Sequence, residues 1–139
     1  MFKKLSLITT TIAALSSSAC FADLAVITHP SASISASKAE VSALFLGKSK
    51  SLGGQKLTPV DQEEGSPSRD QFYQLLSNKN PSQLNAYWAR IVFTGKGQPP
   101  KALMDDSEVK EFVASNADSI AYIDSSEVDD SVKVIMTVK

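Results

Sequence analysis

The chain has 139 residues, of which 14 are basic and 15 acidic, for a net charge of −1. This length supports one domain with a hydrophobic core. The near balance of charge, without a cluster of basic residues, argues against binding to nucleic acid or to an anionic membrane surface. The single histidine, His29, cannot build a multi-histidine metal site, and no carboxylates recur at ligand spacing. We therefore expect no metal and no cofactor.

The first 22 residues have the layout of a secretory signal peptide. Lys3 and Lys4 form a short basic region, and the uncharged apolar run 5–15 follows it. That run is too short to span a bilayer. The small residues that a signal peptidase requires then precede Asp23. We therefore predict cleavage after Ala22 and a mature protein in the periplasm.

A second interpretation makes Cys20 the lipidated N-terminus of a membrane-tethered protein. Lipoprotein signals usually carry an aliphatic residue three positions before the cysteine, where this chain has Ser17. Cleavage after Ala22 is therefore the preferred assignment.

Cleavage at that position leaves residues 23–139 as one domain of 117 residues (139 − 22). Two of the 14 basic residues leave with the signal, so 12 basic and 15 acidic side chains remain, a net charge of −3. Because Cys20 is the only cysteine, this domain has neither a disulfide nor thiol chemistry. Its stability must come from packing.

Hydrophobic patterns predict strands that alternate with helices along the mature chain. Apolar or alternating runs predict four strands, at 24–28, 57–60, 120–123 and 132–138. Pro59 interrupts the second of them, which we therefore place at a sheet edge. The polar stretch 48–55 is predicted to be a loop.

Helix start and stop signals lie between these strands. Ser37 and Glu40 form a capping box, and Gly47 ends that helix. Further helices are predicted to start at Ser66-Pro67, at Asn80-Pro81 and at about 107, the last ending near 115.

Apolar residues at three- and four-residue steps predict the buried faces of these helices. The inward residues are Val41, Leu44 and Phe45; Phe72, Leu75 and Leu76; Leu84, Tyr87, Trp88, Ile91 and Val92; and Val109, Phe112 and Val113. Trp88 lies in the middle of the longest stripe and is expected to be largely inaccessible. Strands separated by helices predict an α/β fold, a small mixed sheet flanked by helices.

The stretch EEGSPSRDQF raises the main functional question. Gly65 provides a turn, Ser66 can cap the following helix, and Pro67 suits its first position. A helix N-terminus also combines unpaired N–H groups with the positive end of the dipole, which suits phosphate, sulfate or carboxylate. Ser68 would add a hydroxyl, and Arg69 a permanently charged guanidinium. Most helices begin this way and bind nothing, so on these features alone plain capping is the simpler interpretation.

Other motifs give no catalytic site. The loop GKGQPP, at 95–100, lacks the spacing of a phosphate-binding P-loop and follows a helix instead of a strand. The scattered serines form no recognisable triad with the lone His29, because no nucleophile elbow is present in the sequence. We therefore expect the protein not to be an enzyme.

Three blocks of sequence resemble, in order, the substrate-binding proteins of bacterial phosphate ABC importers, which have the type II periplasmic binding-protein fold. ISASKAEVSALFLGKSKSLGGQKLTPV is similar to the family's helix that ends in an aromatic-leucine-glycine-lysine turn before a strand. EEGSPSRDQF is similar to the acidic-glycine-serine-glycine-threonine turn that holds the phosphate. FTGKGQPP and VKEFVASNADSIAYID resemble the family's glycine-lysine-glycine loop, helix and glycine-tyrosine strand. The likeness runs over most of residues 24–125.

Within the turn, the chain keeps part of the family's ligand set. Ser66 matches the family's serine and Glu64 its acidic residue, whereas Pro67 stands in place of a glycine and Ser68 in place of the threonine. Gln62 occupies the place of the family's phosphate-binding arginine, so that positive charge is lost.

The resemblance implies a single lobe, because the family's proteins close two lobes on the ligand and the mature chain is long enough for one. It also implies a periplasmic anion-binding protein, with phosphate as ligand and an ABC importer permease, a porin or a sensor protein as membrane partner. The expected ligand-binding residues are Gly65, Ser66, Ser68 and Arg69, although Arg69 could equally be an exposed solubilising residue.

The alternative function is a single-lobe partner-binding or sensory module that has lost phosphate binding. One lobe leaves a ligand half exposed to water, where ionic contacts are weakened.

Overall fold

The computed structural model describes residues 23–139; the predicted signal peptide, with its cleavage site after Ala22 and the alternative acylation site at Cys20, lies outside the described residues. The described chain contains seven strands and four helices with a short 3₁₀ turn at Ser125–Glu127. The strands are β1 Leu24–Thr28, β2 Ser51–Leu52, β3 Gln55–Lys56, β4 Thr58–Gln62, β5 Lys101–Leu103, β6 Ser119–Asp124 and β7 Lys133–Val138. The helices are α1 Lys38–Phe45, α2 Pro67–Ser77, α3 Pro81–Phe93 and α4 Asp106–Ser115. The predicted α/β class is confirmed.

Five strands form one mixed sheet in the order β5-β4-β6-β1-β7. β4 runs parallel to both β5 and β6, whereas β1 is antiparallel to β6 and β7. Strands β4, β5 and β6 therefore end at the same edge of the sheet. That edge leads into the turn before α2 and into the start of α4.

Both faces of the sheet are covered, and side chains alternate between the two cores along each strand. Leu24 and Val26 of β1 pack with α1, α2 and α3, in a cluster that includes Phe45, Phe72 and Trp88. The alternate residues of β1, Ala25 and Ile27, point to the other face and pack against α4. Their cluster also includes Val60, Val109 and Val113. Trp88 is 7% exposed, which confirms its predicted burial. Within residues 23–139, every helix is too short or too polar to cross a membrane.

The predicted helix caps are present. Ser37 and Glu40 form a reciprocal capping box at the start of α1, and Gly47, with φ +74°, follows its end. Ser66 caps α2 and Asn80 caps α3, each with a proline in the first helical position. Local capping chemistry therefore sets the boundaries of these helices as the sequence predicts.

The predicted loop 48–55 is wrong in part, because a two-stranded hairpin lies there. Ser51 pairs with Lys56 and Leu52 with Gln55, around Gly53 and Gly54. Both glycines have positive φ, which allows a tight turn that the polar composition conceals.

The predicted edge position of the strand that contains Pro59 is also wrong, because β4 lies between β5 and β6. Pro59 is nevertheless accommodated. The N–H of Thr58 donates to the carbonyl of Asp118, just before β6, so an N–H at the next residue would point away from β6. On that side, pairing with β5 begins only at Val60. The proline therefore removes no sheet hydrogen bond.

Two large apolar residues are partly exposed, and one of them, Val92, was predicted to face inward. Val92, near the end of α3, is 43% exposed, and Val134 in the edge strand β7 is 39% exposed. In β7 the cause is a register shift in its pairing with β1, between Val26 and Ile27, which breaks the two-residue alternation. Val92 lies in the last turn of α3 and is not part of the core cluster that includes Trp88.

Candidate functional site

The turn between β4 and α2 lies at the edge where three parallel strands end. β4 finishes at Gln62, Gly65 has φ +93°, and Ser66 is the N-cap of the 11-residue helix α2. Beyond its two chain neighbours, no heavy atom of the described chain lies within 4 Å of a Cβ built on Gly65, so its positive φ, not crowding, favours glycine. In α/β sheets, ligands commonly bind outside the carboxyl ends of such strands.

The Ser66 hydroxyl is fully used within the turn. Its Oγ donates to Gln62 Oε1 at 2.8 Å and accepts the N–H of Arg69 at 3.4 Å. The predicted cap is therefore present, and the hydroxyl proton is directed at Gln62 and not at open solvent.

Gln62 joins the starts of two helices to the central strand. Its side chain is buried, and its Nε2 donates to Asp106 Oδ1 of α4 at 2.6 Å and to the carbonyl of Tyr122 at 3.2 Å. With Oε1 accepting from Ser66, the whole amide is hydrogen-bonded. The residue that stands in place of an expected arginine is thus a structural link between α2, α4 and β6.

Arg69 points into the protein. It is 8% exposed, with Nε 3.7 Å from Asp61 Oδ2 and its guanidinium carbon 5.7 Å from the Tyr73 ring centroid. Its Nε and Nη1 are buried and have no hydrogen-bond partner among the described residues. The structure therefore does not place Arg69 at the surface, and its charge is directed at Asp61.

Asp61 is the centre of a buried polar cluster that the sequence patterns did not indicate. It accepts hydrogen bonds from the hydroxyls of Tyr73, at 2.6 Å, and Tyr122, and from the backbone N–H of Gln62 at 2.8 Å. Burial raises the pKa of the Asp61 carboxyl, although the two hydroxyls and Arg69 favour its charged form. Burial and the neighbouring Asp61 likewise raise the pKa values of Tyr73 and Tyr122. The sequence contains one indication of this cluster. Asp61 directly follows the apolar strand predicted at 57–60, and a carboxylate buried at the end of such a strand requires polar partners.

Three backbone donors in the turn remain unpaired. The N–H groups of Glu64, Gly65 and Ser68 make no hydrogen bond with the described residues, and Pro67 between Ser66 and Ser68 has no N–H. Ser68 lies in the first turn of α2, where the positive end of the helix dipole adds to its N–H and hydroxyl. Because Glu64 carries a carboxylate of its own, the donors best suited to an anion are those of Gly65 and Ser68.

The surroundings of the turn are acidic. Glu63 and Glu64 are exposed, Asp70 follows in the first turn of α2, and Glu64 Oε1 accepts from Asn85 Nδ2 of α3 at 2.7 Å. With the charge of Arg69 opposed by Asp61, these carboxylates weaken attraction for an anion. Among the described residues, no group of three or more histidine, cysteine, aspartate or glutamate side chains is placed to hold a metal.

The four predicted ligand residues are thus close in the chain but differ in orientation. Gly65 and Ser68 present free donors, Ser66 caps the helix, and Arg69 turns inward to Asp61.

No protein-family model matches the sequence, and no curated protein matches it either. Three solved structures have a similar fold. A phosphate ABC transporter substrate-binding protein with bound phosphate, from Clostridium perfringens, aligns at a TM-score of 0.61 and 22% identity, over 82% of this chain and 45% of that one. An ABC-type phosphate transport receptor from Vibrio cholerae aligns at 0.64 and 19%, over 83% and 46%. PstS from Borrelia burgdorferi aligns at 0.60 and 18%, over 83% and 47%.

These comparisons establish the fold. The chain spans a little under half the length of each of the three proteins, and its described residues form a compact sheet with helices on both faces. The predicted resemblance to a single lobe of phosphate ABC transporter substrate-binding proteins is therefore confirmed at the level of the fold.

Proposed function

We propose that residues 23–139 form a periplasmic single-lobe binding module that takes a tetrahedral anion, phosphate in the first place, at the turn before α2. One observation carries the proposal: the N–H groups of Gly65 and Ser68 are unpaired at a helix N-terminus, on the edge where β4, β5 and β6 end. The similarity in fold to three phosphate-transport proteins, one of them with bound phosphate, supports phosphate as the anion.

The four ligand residues have different roles in this proposal. Ser68 donates its N–H and hydroxyl to the anion, and Gly65 donates its N–H. Ser66 holds the helix start in place, since its hydroxyl is already bonded to Gln62. Arg69 balances the charge of Asp61, whose Oδ1 accepts the Gln62 N–H, and so positions the turn without touching the anion.

The expected affinity is weak, in the millimolar range. A hydrogen bond to a charged group contributes about 1.5–3 kcal/mol when shielded, and less at an open site. The carboxylates of Glu63, Glu64 and Asp70 also oppose an approaching anion. In this proposal the anion-bound protein binds an importer permease, a porin or a sensor protein at the membrane.

Calorimetric titration of residues 23–139 with phosphate, sulfate and arsenate, at low and moderate salt, tests the proposal. Ser68→Ala should weaken phosphate binding several-fold. Ser82→Ala is a matched control, because Ser82 follows Asn80-Pro81 at the start of α3 as Ser68 follows Ser66-Pro67 at the start of α2. Equal phosphate affinities for the two variants, or no phosphate binding by the wild type at low salt, would refute the anion site.

A second candidate function, partner binding without an anion, is favoured by the outer face of α3. Phe93 is 90% exposed, and the exposed Ala86 and Ala89 continue the same helical face towards Asn85, which contacts Glu64 of the turn. An exposed aromatic side chain beside small apolar residues suits a protein contact. If phosphate does not bind and Phe93→Ser abolishes binding to a membrane partner while the fold is retained, this function replaces the first.

A further inference from the structure

A cavity of about 650 Å³ lies at the opposite end of β4 from the turn. Its walls come from the end of α1 with the following residues 46–50, from α3, from the segment 96–101, and from residues 56–59 at the start of β4. The turn follows Gln62 at the other end of that strand. The volume falls within the roughly 300–1,000 Å³ range of small-molecule sites. The two sites therefore open at opposite edges of the sheet.

One wall of this cavity is apolar and held in place by contacts within the protein. Tyr87, Trp88 and Ile91 of α3 line it, and Trp88 is also a core residue. The Tyr87 hydroxyl donates to the carbonyl of Leu46 at 2.6 Å, and its ring meets Trp88 edge to face with centroids 5.2 Å apart. These contacts fix α3 against the end of α1, so the apolar wall is preformed.

The remaining lining is strongly basic. No aspartate or glutamate lines the cavity, whereas five of the ten lysines in residues 23–139 do. These are Lys48, Lys50, Lys56, Lys96 and Lys101. Lys101 places its Nζ 4.9 Å from the Phe112 ring centroid, on the α4 side. The other four make no ion pair with any described carboxylate; three of them lie within residues 48–56, and Lys96 comes from a segment 40 positions further on. A domain with net charge −3 thus gathers a positive rim around one cavity.

We propose that this cavity binds a small organic anion with an aromatic or aliphatic body. The body packs against Tyr87, Trp88 and Ile91, and a carboxylate, sulfonate or phosphate group faces Lys48 and Lys96 at the opening. Because exposed ammonium groups attract an anion weakly and are screened by salt, the apolar wall supplies much of the affinity and the lysines supply selectivity for charge. The site is independent of the phosphate turn, since inorganic phosphate has no body to fill the apolar wall.

Two fluorescent probes that share one ring system test this proposal: 1-anilinonaphthalene-8-sulfonate, an anion, and N-phenyl-1-naphthylamine, which is neutral. Residues 23–139 should bind one equivalent of the sulfonate at least tenfold more tightly than the neutral probe. Raising the NaCl concentration should weaken binding of the sulfonate and leave the neutral probe unaffected.

Variants locate the site. Lys48→Gln combined with Lys96→Gln should lower the sulfonate affinity by about tenfold, while Lys38→Gln, on the exposed start of α1, should leave it unchanged. Gly97→Leu should abolish binding of both probes, because a Cβ there lies 3.5 Å from Ile91 Cγ2 and directs the new side chain at the cavity wall. Circular dichroism confirms that each variant is folded.

Three results would overturn the proposal. They are equal affinities for the two probes, an unchanged sulfonate affinity in the double lysine variant, and loss of sulfonate binding in Phe93→Ser, which removes the exposed aromatic side chain outside the cavity. A failure of phosphate to bind at the turn leaves all of these measurements valid, so the two proposals fail separately.

Discussion

Arg69 and Asp61 form a buried ion pair beneath the turn, with Nε 3.7 Å from Oδ2 and both side chains at least nine-tenths inaccessible. The pair connects the end of β4 to the first turn of α2, which contains Ser68, and Gly65 lies in the turn between the two elements. Its integrity therefore determines the geometry of the candidate site.

Arg69→Gln should destabilise the fold by about 3–5 kcal/mol, because it leaves the buried Asp61 carboxylate without its cation. Arg90→Gln, at an exposed position on α3, should change stability by less than about 0.5 kcal/mol. Urea unfolding at neutral pH measures both. A loss in Arg69→Gln no greater than in the control would show that the pair contributes little.

Asp61 should also give stability a pH dependence. Its pKa is higher in the folded protein than in the unfolded chain, so the folded state holds the proton more tightly. The contribution of Asp61 to the free energy of unfolding is therefore present below the ordinary carboxyl pKa and is lost as pH rises through the raised pKa of the folded state. Above that pKa, Asp61 adds no further pH dependence.

Asp61→Asn should remove this part of the pH dependence, whereas Asp130→Asn, at an exposed position, should retain it. Unfolding free energies measured across the acidic range test the sign. If stability instead rose with pH in the wild type through the same window, and Asp61→Asn abolished the rise, the pKa of Asp61 would be lowered and not raised by folding.

Ser66→Ala should lower stability by about 1–2 kcal/mol, through loss of the α2 cap and of the donor to the buried Gln62 Oε1. Asn80→Ala removes the corresponding cap of α3, whose side chain is exposed, and should cost about 1 kcal/mol. Thermal unfolding of the two variants gives the comparison. Equal losses would indicate that the Ser66–Gln62 hydrogen bond adds nothing to the cap.

Export gives a prediction about the residues outside the described structure. The basic, apolar and small-residue regions of 1–22 predict that the mature protein begins at Asp23. Intact-mass spectrometry of the periplasmic fraction measures this directly. A fatty-acylated protein that begins at Cys20 would instead establish a membrane-tethered lipoprotein.

Local sequence signals predicted the helices, their caps and most of the sheet, because these features depend on residues only a few positions apart. Ser37 with Glu40, Ser66 with Pro67, and Asn80 with Pro81 illustrate this. The short strand β5 was missed because three residues show no alternation, and its pairing with β4 joins segments about 40 positions apart.

The inward direction of Arg69 could not be predicted from the sequence. It depends on Asp61, eight residues away in another element, and on Tyr122, which lies 61 residues from Asp61 and approaches it only because β6 pairs with β4. Once the sheet order is known, a buried aspartate at the end of β4 requires partners, and Arg69 and the two tyrosine hydroxyls are in position to supply them.

Amide chemical shifts of ¹⁵N-labelled residues 23–139, titrated with phosphate at constant ionic strength, test the central claim most directly. The anion-binding proposal predicts saturable shifts at the Gly65 and Ser68 N–H groups, with the Ser82 N–H at the equivalent position of α3 unaffected. Unchanged Gly65 and Ser68 resonances at millimolar phosphate, or equal and non-saturating shifts at Ser68 and Ser82, would show that the turn is a helix cap and binds no anion.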